Sequence, residues 1–230
     1  MNFLGLMYGE GWGIPEDYHK AVSWFQKAAK AGHPLATYNL AIAYDNGLGV
    51  SKSPCQAFQL YMHLAQQDYA AAMQPVGNMY EKGIGTEKNS IKARYWYRKG
   101  ARLGHPAAMY DLGRCYMRGI GGAQNLVSAK RWLEAASAAG EPMALLAMGT
   151  YFTLLSIPDW EQAFLWYEQA IEEGTQEVCA MTLYKLGKLA LKDILTPEHP
   201  TQAQEYFQWA AKFGHQGAAL QLALLAGESF

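Results

Sequence analysis

The sequence predicts an all-α solenoid built from helix-turn-helix repeats. Two observations carry this. A Gly-x-Gly turn recurs at a stride of 36: Gly11-Trp12-Gly13, Gly47-Leu48-Gly49, Gly83-Ile84-Gly85 and Gly119-Ile120-Gly121. Between the turns, apolar residues fall at helical spacing. The 230 residues therefore form one repeat domain, 1–230, of about six units (2–33, 34–69, 70–105, 106–141, 142–177, 178–216) and a terminal half-unit, 217–230.

The fourth copy, Pro106 to Glu141, shows each element of the unit. Its first helix opens at Pro106, a residue favoured in a first turn. Ala108, Leu112 and Tyr116 form one apolar stripe. Gly119 ends the helix, since glycine accepts a left-handed conformation. Ile120, flanked by glycines, reads as a plug dropping between helices. Asn125 is placed to cap the second helix, whose apolar face carries Ala129, Trp132, Leu133, Ala135 and Ala136.

The other copies repeat these slots. Trp24, Trp96, Trp132 and Trp166 share one position, filled by Leu60 and Tyr206 elsewhere. Ala21, Ala57, Ala93, Ala129, Ala163 and Ala203 share another. Small residues let helices approach and aromatic rings fill the gaps beside them. Gly32, Gly104, Gly140, Gly174 and Gly214 close the second helices, with Asp68 standing in once.

Three features depart from the unit. Pro75 falls inside a first helix, predicting a kink or a late start there. The fifth unit replaces Gly-x-Gly by Tyr151 to Pro158, where Leu154, Leu155 and Ile157 are expected to repack the join rather than leave a sticky edge. The sixth has a longer join, Lys192 to Pro200. In the half-unit, Leu220 to Leu225 is apolar on more than one side, which suits a continued stack or self-association.

The composition narrows the function. Half of the residues are hydrophobic and 17% are charged, with a formal net charge of -1 and a pI near 6.6. That balance leaves no footprint for nucleic acid or an anionic membrane, and no apolar run reaches transmembrane length. In the basic-aromatic stretch Arg94 to Arg102, Trp96 and Tyr97 fill core slots of the repeat and the Arg and Lys residues read as solvated helix faces. Cys55, Cys115 and Cys179 are too few and too scattered for a disulfide framework, and read as small buried or half-buried residues.

No chemistry stands out. His33, His105 and His215 share the slot after a helix-closing glycine, which suggests a structural role at a helix C-terminus rather than metal binding. The glycine turns lack the Gly-Lys-Ser/Thr of a phosphate cradle and follow helices, not strands. No catalytic residue, metal or cofactor is expected.

Taken together, Leu-Gly…Tyr, Gly-x-Gly, Ala…Trp-Tyr/Phe…Ala-Ala…Gly-His resembles the Sel-one-like repeat, a relative of the tetratricopeptide repeat, across essentially the whole chain. The resemblance implies a right-handed α/α superhelix, in a bacterial protein, acting as a protein-binding adaptor. It also brings two narrower roles to weigh, an immunity protein against a secreted toxin and an enzyme acting on cell walls or β-lactams. The cysteine pairs of the penicillin-linked branch are missing here. The chain opens in mid-pattern, since Leu4-Gly5 and Tyr8 align with Leu112-Gly113 and Tyr116. A removed leader would make the protein periplasmic or secreted; otherwise it would be cytoplasmic.

By analogy with stacked helical hairpins, first helices line the concave face. Subtracting core slots leaves the candidate partner-binding residues. They are Tyr38, Asn39 and Ile42; Gln74 and Asn78; Tyr110, Asp111 and Arg114; Leu146 and Thr150; Tyr184, Lys185 and Lys188. Tyr38, Tyr110, Tyr184 and Arg114 are the preferred anchors, because Tyr and Arg are enriched at interface hot spots.

Overall fold

A computed structural model describes residues 1–191 and 200–226. Thirteen α-helices and no strand occur among the described residues: α1 (Asn2–Glu10), α2 (Tyr18–Lys30), α3 (Pro34–Asn46), α4 (Pro54–Gln66), α5 (Ala70–Lys82), α6 (Ser90–Arg102), α7 (Pro106–Arg118), α8 (Leu126–Ala138), α9 (Pro142–Thr153), α10 (Trp160–Glu172), α11 (Gln176–Ala190), α12 (Pro200–Lys212) and α13 (Gln216–Leu225). Two compact units divide at Asn125, between the two helices of the fourth repeat. Unit 1 holds α1 to α7 and unit 2 holds α8 to α13. Each is a row of helices packed on their chain neighbours.

Within a repeat, a small residue on the first helix receives a ring from the second. A Cβ added at Gly5 would collide with Phe25, one at Gly77 with Tyr97, one at Gly149 with Tyr167 and one at Gly187 with Phe207. Tyr97, Tyr167 and Phe207 are almost wholly buried. The core ring is thus the residue after the expected Trp slot. Trp24, Trp132 and Trp166 are only half-buried, with Trp96 the buried exception.

The Gly-x-Gly turn divides its labour differently from expectation. Its first glycine ends the helix in a left-handed conformation, as at Gly47 (φ 79°), Gly83 (73°) and Gly119 (70°). The middle residue is not a plug: Trp12, Leu48 and Ile84 are exposed and Ile120 is half-buried. The second glycine is what reaches the neighbour. A Cβ at Gly49, Gly85 or Gly121 would strike the backbone carbonyl of Tyr18, Pro54 or Ser90, each the first residue of the preceding repeat's second helix. Repeats stack backbone to backbone there, which leaves no room for an interhelical plug.

A second constant closes the first five hairpins. The residue before the second helix donates its N–H to the carbonyl of the aromatic near the first helix's end. Asp17 pairs with Tyr8, Ser53 with Tyr44, Asn89 with Tyr80 and Asn125 with Tyr116, at 2.7–2.9 Å. The shortened fifth turn keeps this bond, Asp159 to Phe152 at 3.2 Å. Of the apolar residues expected to repack there, only Leu155 turns partly inward; Leu154 and Ile157 are exposed, Ile157 by 86%. The bond closes the turn without those two.

Other expectations change as well. The helix does not start late at Pro75; α5 begins at Ala70, in register with Pro34 and Pro106, and runs through the proline. His33 and His105 act at the N-terminus of the following helix, where Nδ1 accepts the N–H of Ala36 and Ala108 at 3.4 Å. Asp68 does replace a closing glycine, at φ 61°, whereas Gly174 does not adopt positive φ. Cys115 and Cys179 are buried but Cys55 is exposed. The expected long join falls on 192–199, outside the described residues. In α13, Leu220, Leu224 and Leu225 are about half exposed, while Ala218 is fully buried.

Candidate protein-binding face

In unit 1 the sequence-predicted residues lie on α3, α5 and α7, the first helices of successive repeats. Tyr38, Asn39, Ile42, Gln74, Asn78, Tyr110 and Arg114 are half-buried and Asp111 is buried. Several are tied to a neighbour. The Asn39 amide donates to Asn2 Oδ1 at 3.3 Å. Gln74 Nε2 donates to Asp111 Oδ2 at 2.7 Å. Both bonds join equivalent positions of consecutive first helices. Tyr38 is drawn into packing, with its ring edge-on to Tyr61 at 5.4 Å and tilted on Tyr69 at 6.0 Å.

Arg114 sits at the centre of a charged network. Its Nη1 donates to Glu81 Oε1 at 2.7 Å and its Nη2 to Glu81 Oε2, a bidentate grip across two repeats. Nε and Nη2 also donate to Asp111 Oδ1, at 3.2 and 3.0 Å. The Tyr97 hydroxyl donates to Glu81 Oε2 at 3.0 Å. The Arg114 hydrogen bonds hold Glu81 below the usual carboxylate range, whereas burial pushes Asp111 up. Burial likewise raises the Tyr97 hydroxyl, beyond any physiological titration. Glu81 and Tyr97 were missed from sequence. Glu81 lies in the last turn of α5, beside the glycine turn that ends it, and Tyr97 occupies a core slot.

Arg94 departs from the solvated face expected of its segment. It is 6% exposed, its guanidinium lies 4.0 Å over the Tyr116 ring, and Nη1 donates to the Ala123 carbonyl at 3.3 Å. The same slot holds Phe58, which packs edge-on against Tyr80 one repeat earlier. A guanidinium plane can take that ring's place because it too stacks on an aromatic face. Gly122 makes space, since a Cβ there would meet Arg94 Nη1.

In unit 2 the predicted residues lie on α9 and α11. Leu146 is buried, Thr150, Tyr184 and Lys185 are half-buried, and Lys188 is exposed. The Lys185 ammonium donates to the Thr150 hydroxyl across two repeats. Tyr184 stacks on His215 at 4.0 Å with planes 17° apart, and Lys188 lies 5.7 Å over the Tyr184 ring. His215 makes no capping bond, unlike His33 and His105.

Among the described residues, no three His, Cys, Asp or Glu side chains gather as a metal site. No described helix is long and apolar enough to cross a membrane.

The chain is 27% identical to a Sel1 repeat protein from Oxalobacter formigenes, with a TM-score of 0.79 over 91% of this chain and 83% of that one. It is also 27% identical to a protective antigen of uropathogenic Escherichia coli that displays an SLR fold, with a TM-score of 0.73. The match covers 100% of this chain but only 49% of that protein, so the chain spans about half its length. An immunity protein from Pseudomonas aeruginosa, 22% identical with a TM-score of 0.53 over 89% of this chain and 74% of that one, shares the fold. No curated protein sequence matches the chain. The Sel1 repeat model matches residues 1–33, 34–62, 63–105, 106–141 and 142–175, so the chain belongs to the Sel1 repeat family.

Proposed function

We propose that this chain is a non-catalytic scaffold that binds a partner protein along the concave groove of its first helices. Sel1 repeat proteins are typically protein-interaction scaffolds. The observation that carries the reading is in unit 1. There, side chains at non-core first-helix positions are buried or half-buried and already cross-linked between repeats, as Gln74 to Asp111 and Glu81 to Arg114. A partner meeting such a face loses little further side-chain entropy in ordering it.

The network also changes which residues suit a test. Arg114 is committed to Glu81 and Asp111, so its removal disturbs the fold as well as the face. Asn78→Ala is the better variant. The wild-type chain, used as bait in native lysate, should capture one partner that this variant binds at least about tenfold more weakly, at a nearly unchanged urea midpoint. Equal capture by the variant would refute the groove. A captured toxic enzyme whose activity falls on binding would identify the narrower role of an immunity protein.

A further inference from the structure

The second helices of unit 2 frame a cleft that no first-helix residue above accounts for. It measures about 260 Å³ and lies between α10 and α12, over α11. Phe164, Tyr167 and Glu168 face it from α10, and Tyr206 and Trp209 from α12. Tyr206 and Trp209 stand nearly perpendicular, 85°, with ring centroids 6.4 Å apart. Trp209 is 52% exposed and Glu168 is exposed at the rim.

The equivalent slots of other repeats show what is missing. In the first repeat Lys27 lies 4.5 Å over the Trp24 ring, one turn back along the same helix. In the third, Lys99 lies 5.3 Å over Trp96. In the sixth, Tyr206 takes the place of the tryptophan and Trp209 that of the lysine. Among the described residues, no Lys or Arg lies over Tyr206 or Trp209, and none pairs with Glu168. The position thus exchanges its own cation for a second ring, with a carboxylate facing it from the neighbouring helix.

We propose that this cleft binds an alkylammonium group, the head of a lysine side chain on a partner protein, against the Tyr206 and Trp209 rings and the Glu168 carboxylate. Aromatic faces attract such a cation, more strongly where water is partly excluded. The carboxylate adds charge complementarity, and Leu183 and Leu186 at the floor suit the methylene stem. Its volume fits one side-chain head rather than a larger ligand. The rings and the carboxylate that would hold the cation lie on second helices, and none of them is among the first-helix residues named for the groove.

The test titrates the full chain with capped lysine amide and, separately, with capped norleucine amide, which keeps the stem and lacks the charge. The readout is the Trp209 indole N–H resonance, assigned from Trp209→Phe. Lysine amide should shift it saturably, and norleucine amide at least about fivefold more weakly. Glu168→Gln should weaken lysine but leave norleucine unchanged, and Tyr206→Leu should weaken lysine while keeping the Trp209 reporter in place. Circular dichroism checks that each variant folds. Equal shifts by the two amides, an unchanged affinity in Glu168→Gln, or no shift at all would overturn the proposal.

Discussion

The guanidinium of Arg114 is shared between Glu81, on the preceding first helix, and Asp111, one turn away on its own. It fastens two repeats together on the face proposed for a partner. The three side chains are only 10–19% exposed, so the network is electrostatically costly to break.

Truncating Arg114 should therefore be worse than neutralising its acidic partner. Arg114→Ala strands Glu81 and Asp111 and should cost about 2 kcal/mol, less than the ~3–5 of a fully enclosed pair because solvent still reaches the rim. Asp111→Asn should cost about 1 kcal/mol or less. Burial already opposes the Asp111 charge, and the amide oxygen can still accept from Arg114. Urea midpoints of the two variants at neutral pH decide this; the opposite ranking would mean that Arg114 is not the hub.

The stride of the glycines revealed the repeat because helix exits and repeat contacts are local backbone events. Gly47 and Gly49 do their work through φ and through a missing Cβ, and both properties are written in the residue itself. The Glu81 partner of Arg114 was not legible. Glu81 lies 33 residues away, and its pairing depends on how first helices line up rather than on any spacing within one helix. Arg94 misled for a related reason. A basic residue reads as solvated until the ring beneath it, Tyr116 of the next repeat, and the space left by Gly122 are in place.

Gly13 and Gly49 occupy the same turn position but differ in surroundings. Both have positive φ, 72° and 67°. An added Cβ at Gly13 meets nothing, while at Gly49 it strikes the Tyr18 carbonyl and the His19 nitrogen. Gly13→Ala should thus cost only the left-handed penalty, about 1–2 kcal/mol. Gly49→Ala should cost at least about 1–3 kcal/mol more, since two repeats must separate to admit the methyl. Comparable losses in thermal unfolding would show that the second glycine serves conformation alone.

The three thiols should separate cleanly by access. Cys55 is exposed, Cys115 is fully buried and Cys179 is 7% exposed. Burial pushes the Cys115 thiol up to about 12 and raises that of Cys179 as well, so neither supplies thiolate at neutral pH. Ellman's reagent should titrate one thiol rapidly in the native chain and three in denaturant. Cys55→Ser should remove the fast phase; a surviving fast phase would place an opening event at one of the buried sites.

His105 links the end of one repeat to the start of the next, and its proton inventory follows from that position. Its Nδ1 accepts the Ala108 N–H, a role that needs an unprotonated nitrogen. Burial holds its pKa below the ordinary 6.5. In the unfolded chain the ring takes up its proton below about 6.5, while in the folded chain it resists until a lower pH. The stability it contributes is therefore complete above 6.5, declines as pH falls below that value, and levels off under the folded pKa. His105→Asn retains a capping acceptor and carries no titrating proton. Between pH 7.5 and 5.5 the wild type should lose more stability than this variant, with the remaining histidines contributing equally to both. Parallel urea midpoints across that range would remove His105 from the pH response.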